Sequence, residues 1–514
     1  MIHNPTHTNT LLEQNQPLSQ SLLWKLQRNF FHQQGIQAWN TGTVPHYITS
    51  NPFIANAYAK VAFGFLRDWH NTLNLNQPVY ILELGAGSGR LAYHFLKKFL
   101  SFFTHSTLNH IPVTYILSDF TEQNLNYWHS HPFLQPFIQQ GILDIARFDA
   151  QQDQSLQLYY SRETLSPTTL KNPLIILANY FFDCLPQDIF TLSNNQLYAT
   201  LINLTSYSKP NYNNPNLIKN LHVTYHDKPI TPNYYQDANF NQILQYYQQH
   251  LTNTTVLFPK IALHCIRNLR NLSRGKMLFL SGDKGYSQES DLYNRSKPNM
   301  TFHGNCFSMM VNYHAIGQYF LNQGGYALHT THHHSSLNIS AFLFGHPPTN
   351  YIETRQAYQE YIEKLSPDDF FSLKKAIEKN YENLTLQQLI AYMRLSGWDA
   401  NIFLGCYSVL MSRVASASEV LKQELYSVIK NVWDTYYPIG EKQNLPYHLG
   451  MLLMKMKYYA EAANYLQQSI QIHGLDANTI YQIGICYQHL QNQDAADYCM
   501  AKAFVLDPTV RKKL

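Results

Sequence analysis

The stretch VYILELGAGSGRLAYHFL, Val79 to Leu96, constrains the fold more than any other part of this chain. Apolar residues run up to a carboxylate, Glu83; Gly85, Gly87 and Gly89 then alternate with small residues, and a helical pattern follows from about Leu91 to Phe103. A strand that turns through a glycine loop into a helix opens a parallel sheet covered by helices on both faces. The alternation continues downstream. VTYILSDF (Val113 to Phe120) reads as a strand ending in Asp119, and ILDIARFDA (Ile142 to Ala150) as one ending in Asp149. The segment Pro173 to Pro186 holds a fourth strand, GKMLFLSGDKG a fifth ending at Ser281, and YALHT and SAFLFG two closing strands. The expected fold is α/β, a Rossmann-like seven-stranded sheet preceded by a helical segment and followed by an all-α region.

Two ligand classes compete for such a glycine loop. Dinucleotides rest a pyrophosphate on the helix N-terminus and use GxGxxG. Here the spacing is GxGxG, and Glu83 lies two residues before the first glycine. A carboxylate there repels a pyrophosphate and suits a ligand with an ammonium group. S-adenosylmethionine has an amino acid end, a ribose and an adenine, and no phosphate. Gly85, Ala86, Gly87 and Gly89 let the backbone approach it, Asp119 is placed to accept from ribose hydroxyls, and Asp149 with Ala150 lies where adenine is expected. Simpler readings stand beside these: tight strand–helix packing for the glycines, a helix cap for Asp119, a turn or cap for Asp149.

The constellation resembles class I S-adenosylmethionine-dependent methyltransferases. Within them it is similar to the MidA family, through ELGAGSGRL (Glu83 to Leu91) and ANYFFDCLP (Ala178 to Pro186), set against that family's ANExxDAxP. HYITSNPF before the first strand and the insertion after the fourth agree with it more loosely, and the likeness covers about residues 40 to 345. Asn179, Asp183 and Pro186 match by position; the family's Glu is Tyr180 here, so the role of that carboxylate, and activity on the family's arginine-type substrate, do not carry over.

Methyl transfer is an in-line displacement, and the protein aligns the acceptor, excludes water and removes a proton where one is lost. Asn179 is expected to orient an N–H acceptor, Tyr180 to form a wall, and Asp183 to serve as base or orienter. A helix cap competes for Asp183 and core packing for Tyr180. His46, Tyr47, Thr49, Asp283 and Lys284 are further loop candidates, with His303 and His314 nearby. HTTHHH (His329 to His334) invites a metal reading, but consecutive strand residues alternate faces and no carboxylate completes a set, so no metal is expected.

After the Pro-Pro pair at residues 347 and 348 the pattern is helical only. LGMLLMKMKYYAEAANYLQQSIQIHG and IGICYQHLQNQDAADYCMAKAFVLDP align with Gly450 on Gly484, Ala462 on Ala496, Leu466 on Met500 and Ser469 on Ala503, a period of 34. That period and the small residues resemble tetratricopeptide repeats over about residues 441 to 514. The expected organisation is 1–50, a helical and irregular segment; 51–346, the methyltransferase domain with an inserted hairpin at about 189–230; 347–440, a helical spacer or degenerate repeats; and 441–514, the repeats.

A net charge of +4 over 514 residues, 14% of them charged, gives no ground for nucleic-acid binding. The six cysteines form no CxxC pair, the start lacks a basic, apolar leader, and no window reaches a membrane span. A cytoplasmic protein is expected, with export by a leaderless route open. The expected function is methyl transfer to a protein or other macromolecule recruited by the repeats. A scaffold that keeps the fold without the chemistry is the alternative, and a nicotinamide oxidoreductase fails on glycine spacing and on Glu83.

Overall fold

The computed structural model describes residues 10–207, 215–332 and 336–510. Seven strands build the central sheet: β1 (Val79–Glu83), β2 (Val113–Asp119), β3 (Leu143–Arg147), β4 (Leu174–Asn179), β5 (Met277–Asp283), β6 (Tyr326–Leu328) and β7 (Asn338–Phe344). They lie in the order β6-β7-β5-β4-β1-β2-β3. Strands β1 to β5 run parallel, and β7 pairs antiparallel with both β5 and β6. Every residue of β1, β5 and β7 is buried, as a sheet covered on both faces demands.

The order reverses at β1, flanked by β2 and β4, so the loops leaving β1 and β4 part and open a crevice at the strands' carboxyl ends. Register aligns those ends: Glu83 pairs with Leu177 and Leu117, Asn179 with Gly282, and Asp119 with Arg147. Strand tips bearing Glu83, Asp119, Asn179 and Asp283 therefore converge on one edge.

The insertion after β4 is larger than a hairpin. Strands Asp188–Ser193, Gln196–Ser206, Leu221–Pro229 and Thr254–Phe258 form an antiparallel sheet that also takes in Thr10–Pro17. The last of these pairs with residues 201–206 while Leu221–Pro229 takes the other edge. TLLEQNQP shows no clean alternation and its ladder is bulged, so only the waiting sheet edge makes it a strand.

The proline pair at 347 and 348 marks a turn rather than the end of the first compact unit, which runs through Phe370. Asp68, near the end of the helix Pro52–Trp69, accepts from the amides of Glu353 and Thr354 and from the Thr354 hydroxyl. Gly64 lets the two segments meet: a Cβ there would lie 2.6 Å from the Glu353 carbonyl oxygen. These contacts tie the helix Ile352–Tyr358 to the sheet-bearing unit.

The second unit, from Phe371 onward, is helical throughout its described residues. Its last four helices are Leu445–Lys455, Tyr459–His473, Ala477–His489 and Gln493–Leu506. A Cβ on Gly450 would meet Leu466 at 2.7 Å and the Ala462 carbonyl at 3.2 Å. One on Gly484 would meet Met500 at 3.0 Å and the Ala496 carbonyl at 3.3 Å. The contacts expected from the 34-residue alignment thus recur in both helix pairs. All six cysteines are free thiols, and among the described residues no helix is long and apolar enough to cross a membrane.

Candidate functional site

The glycine loop is held in a shape that only glycine takes without strain. Gly85 and Gly87 have φ of +60° and +53°, and a Cβ on them would lie 2.7 Å from Phe181 and 2.8 Å from Trp39. The Ala86 amide donates to the Ser118 carbonyl and the Trp128 indole N–H to the Gly87 carbonyl, which pins the loop between β1 and β2. Gly89, also at positive φ, opens the helix Arg90–Phe103.

Glu83 ends β1, 4% exposed. Its Oε2 accepts from the Tyr115 hydroxyl at 2.7 Å, and among the described residues Oε1 has no hydrogen-bond partner. Burial pushes this carboxyl up to about 8, although the Tyr115 bond works the other way. Asp119, equally buried, is better served: Oδ1 accepts from the Thr121 amide and hydroxyl, and Oδ2 from Asn124 Nδ2 at 2.9 Å and the Gly87 amide at 3.4 Å. Burial still raises it, and those bonds oppose the rise.

The side chain of Asp149 is engaged elsewhere than at an adenine. It takes both Arg28 guanidinium nitrogens, at 3.2 and 2.7 Å, and accepts from the Gln151 amide and Gln152 Nε2. The turn-bracing alternative describes it, while Asp149 and Ala150 still line the crevice.

The crevice holds two adjoining cavities of about 170 and 90 Å³ that share Phe31, Trp39, Gly85, Tyr180 and Cys184 as walls. The smaller runs from Asp119 over Phe120 and Phe148 to Ala150; the larger takes in Glu83, Gly87, Asn179, Asp183 and Asp283. Their roof comes from the N-terminal segment: Trp39 lies on Gly87, and the Arg28 guanidinium stacks 4.4 Å over the Phe120 ring. The donor set fits an amino acid nucleoside. A buried carboxylate with one oxygen in reserve stands beside glycines that accept a close neighbour, an acid lies one strand along, and an apolar slot beyond it is floored by Phe148 and Ala150.

At the far end, Asn179 has a different engagement from the one expected. Its Oδ1 accepts the Tyr58 hydroxyl at 2.6 Å and its Nδ2 donates to the Thr49 carbonyl at 3.0 Å, so the side chain ties β4 to two neighbouring segments. Tyr180 lines both cavities at φ +46°, a backbone conformation costly for an aromatic residue. Burial, and then Asp283 and Asp183, raise its phenol well above the usual range. Asp183, in the turn Phe182–Cys184, donates its amide to Asp283 Oδ2 at 3.1 Å. His46, Thr49, Lys284 and His303 line the larger cavity; Tyr47 does not. His314 lies away from it, bonded to Tyr247.

Among the described residues no group of three His, Cys, Asp or Glu is placed to hold a metal. His329 bonds Ser340, whereas His333 and His334 lie outside the described residues. Sequence reasoning missed Arg28, Phe31 and Trp39, because nothing local in LLWKLQRNFF or in QAWN marks either as a roof for a loop some fifty residues on.

A family model described as "Putative S-adenosyl-L-methionine-dependent methyltransferase" matches residues 61–332. No curated protein sequence matches the chain. Two crystal structures from Burkholderia thailandensis align at 11% identity with a TM-score of 0.41, covering 67% of this chain and 90% and 91% of theirs. One is of an uncharacterized superfamily protein, the other of a superfamily member bound to S-adenosyl-homocysteine.

Proposed function

We propose, from the premise that this chain belongs to that family of S-adenosyl-L-methionine-dependent methyltransferases, that it moves a methyl group onto a macromolecular acceptor at the Tyr180–Asp183 end of the crevice. When bound, the cofactor supplies an electrophilic methyl on a sulfonium and leaves as a neutral thioether. The chain's own residues do the rest. Glu83 Oε1 would receive the ammonium, Gly85 and Gly87 would admit the methionyl and ribose parts, and Asp119 would accept from the ribose diol. Phe120, Phe148 and Ala150 line the slot that would hold the adenine, and the Phe31–Trp39 roof would keep water from it.

At the acceptor end Tyr180 is a wall and Asn179 acts through the Thr49 segment, holding it against β4. The Glu to Tyr change separates this chain from the MidA pattern in acceptor choice while leaving the cofactor end alike. The helix pairs of the second unit, read as tetratricopeptide repeats, recruit a protein partner or substrate. The single observation that carries the reading is Glu83, a buried carboxylate with one oxygen in reserve beside a left-handed glycine loop. Calorimetric titration with S-adenosylmethionine and with NADH tests it. Binding of the first alone is expected; binding of neither favours a scaffold, and binding of NADH removes the reading.

A further inference from the structure

Asn124 is 1% exposed and sits in the first turn of the helix Glu122–Ser130, which buries it beside Leu125 and Trp128. Asparagine is a weak helix former and a polar group to bury, so packing alone gives it no reason to be there. Its Nδ2 donates to Asp119 Oδ2 at 2.9 Å. Its Oδ1 is buried and has no donor among the described residues, although Asn124 is a wall of the smaller cavity. Turning the amide over would set two acceptor oxygens against each other, so Asp119 fixes which end faces it. A brace for Asp119 explains one half of this side chain. The other half stays unaccounted for, since a buried acceptor without a donor destabilises the fold.

The rest of the cavity narrows what can supply that donor. A carboxylate has about four lone-pair positions. In Asp119 the Thr121 amide and hydroxyl and Asn124 Nδ2 fill three, and the Gly87 amide at 3.4 Å leans on the fourth. Asp119 therefore has room for one further donor, not two. Of the other buried polar walls, Gln27 is engaged by the Phe307 amide and the Cys184 carbonyl, and Asp149 by Arg28, Gln151 and Gln152. Asn124 Oδ1 is the acceptor left over, and because one amide carries both atoms it stands beside the Asp119 carboxylate. A vicinal diol brings two hydroxyl donors on neighbouring carbons to one place. We propose that Asn124 is a specificity-determining residue for the cofactor: Asp119 takes one ribose hydroxyl and Asn124 Oδ1 the other, so that the pair selects a ribonucleoside over its deoxy counterparts. The inference rests on the methyltransferase reading and adds to it the residue that completes the sugar site.

Calorimetric titration of the full chain with S-adenosylhomocysteine and with its 2′-deoxy and 3′-deoxy analogues tests the assignment. The proteins compared are the wild type, Asn124→Ala and Asn124→Leu, the last keeping nearly the original volume. The wild type should lose on the order of tenfold in affinity for each missing hydroxyl. In both variants one of those two losses should shrink to within about twofold while the other persists. Comparing analogue with parent inside each protein cancels whatever the missing Asp119 brace does to the parent ligand. Two losses that stay as in the wild type reduce Asn124 to a brace and overturn the assignment. Two that vanish together place its effect in Asp119 and overturn it equally. Melting curves show which variant is folded, and a wild type indifferent to either hydroxyl overturns the assignment with no variant at all. Failure of the wild type to bind S-adenosylhomocysteine defeats the methyltransferase reading itself, whereas binding with unchanged losses defeats only the role of Asn124.

Discussion

Cofactor binding should expel a proton from Glu83. Without ligand its carboxyl sits at about 8, so at pH 6.5 about 97% of it is protonated. An ammonium against Oε1 favours the charged form and pulls the carboxyl below the working pH, releasing that proton. The free cofactor's amine, near about 8 as α-amino groups are, is already charged and takes up only a few hundredths of a proton. The net release is about 0.9 proton per cofactor, and affinity should rise about tenfold per pH unit between pH 5.5 and 7. Calorimetry at pH 6.5 in buffers of different ionisation enthalpy reads the release as the slope of apparent heat against that enthalpy. Glu83→Gln should bind weakly and give a slope near zero. A wild type that binds tightly with no proton release refutes the pairing of Glu83 with the ammonium. The same shift has a sign for stability. Folded Glu83 holds its proton to higher pH than the ordinary 4.5, so the ligand-free protein loses stability as pH rises from there through about 8, and bound cofactor offsets that loss.

Gly87→Val should abolish S-adenosylhomocysteine binding, since its side chain must enter at φ +53° against Trp39, while far-ultraviolet circular dichroism stays within error of wild type. Arg28→Ala strips two charged bonds and a ring contact from the buried Asp149 and should cost about 1–3 kcal/mol in urea unfolding. Gly450→Val drives a side chain into Leu466 and should destabilise the second unit by about 1–3 kcal/mol, with S-adenosylhomocysteine affinity unchanged.

What the sequence disclosed follows the range of the forces involved. The parallel strands were legible because burial on both faces writes them as apolar runs, as in LIILA, and the turn after β1 because its glycines have a backbone reason to be there. The repeat was legible because close helix approach demands small residues at a fixed period. The strand Thr10–Pro17 was not, because a distant sheet edge supplies its partner. At the site, Glu83 and Asp119 announced themselves by standing at strand ends. The engagements of Asp149 with Arg28 and of Asn179 with Tyr58 did not, because both partners lie more than a hundred residues away and pattern carries no register between them. Asp283 was visible only as a loop acid; its pairing with Asp183 appears once β4 and β5 lie side by side.

A crystal of the full chain grown with S-adenosylhomocysteine tests the central claim most directly. The account predicts density running along the glycine loop, with the ligand's amine beside Glu83 and its ribose diol at Asp119. Density for the ligand anywhere else, or an undisturbed Trp39 closing an empty loop at saturating ligand, contradicts it.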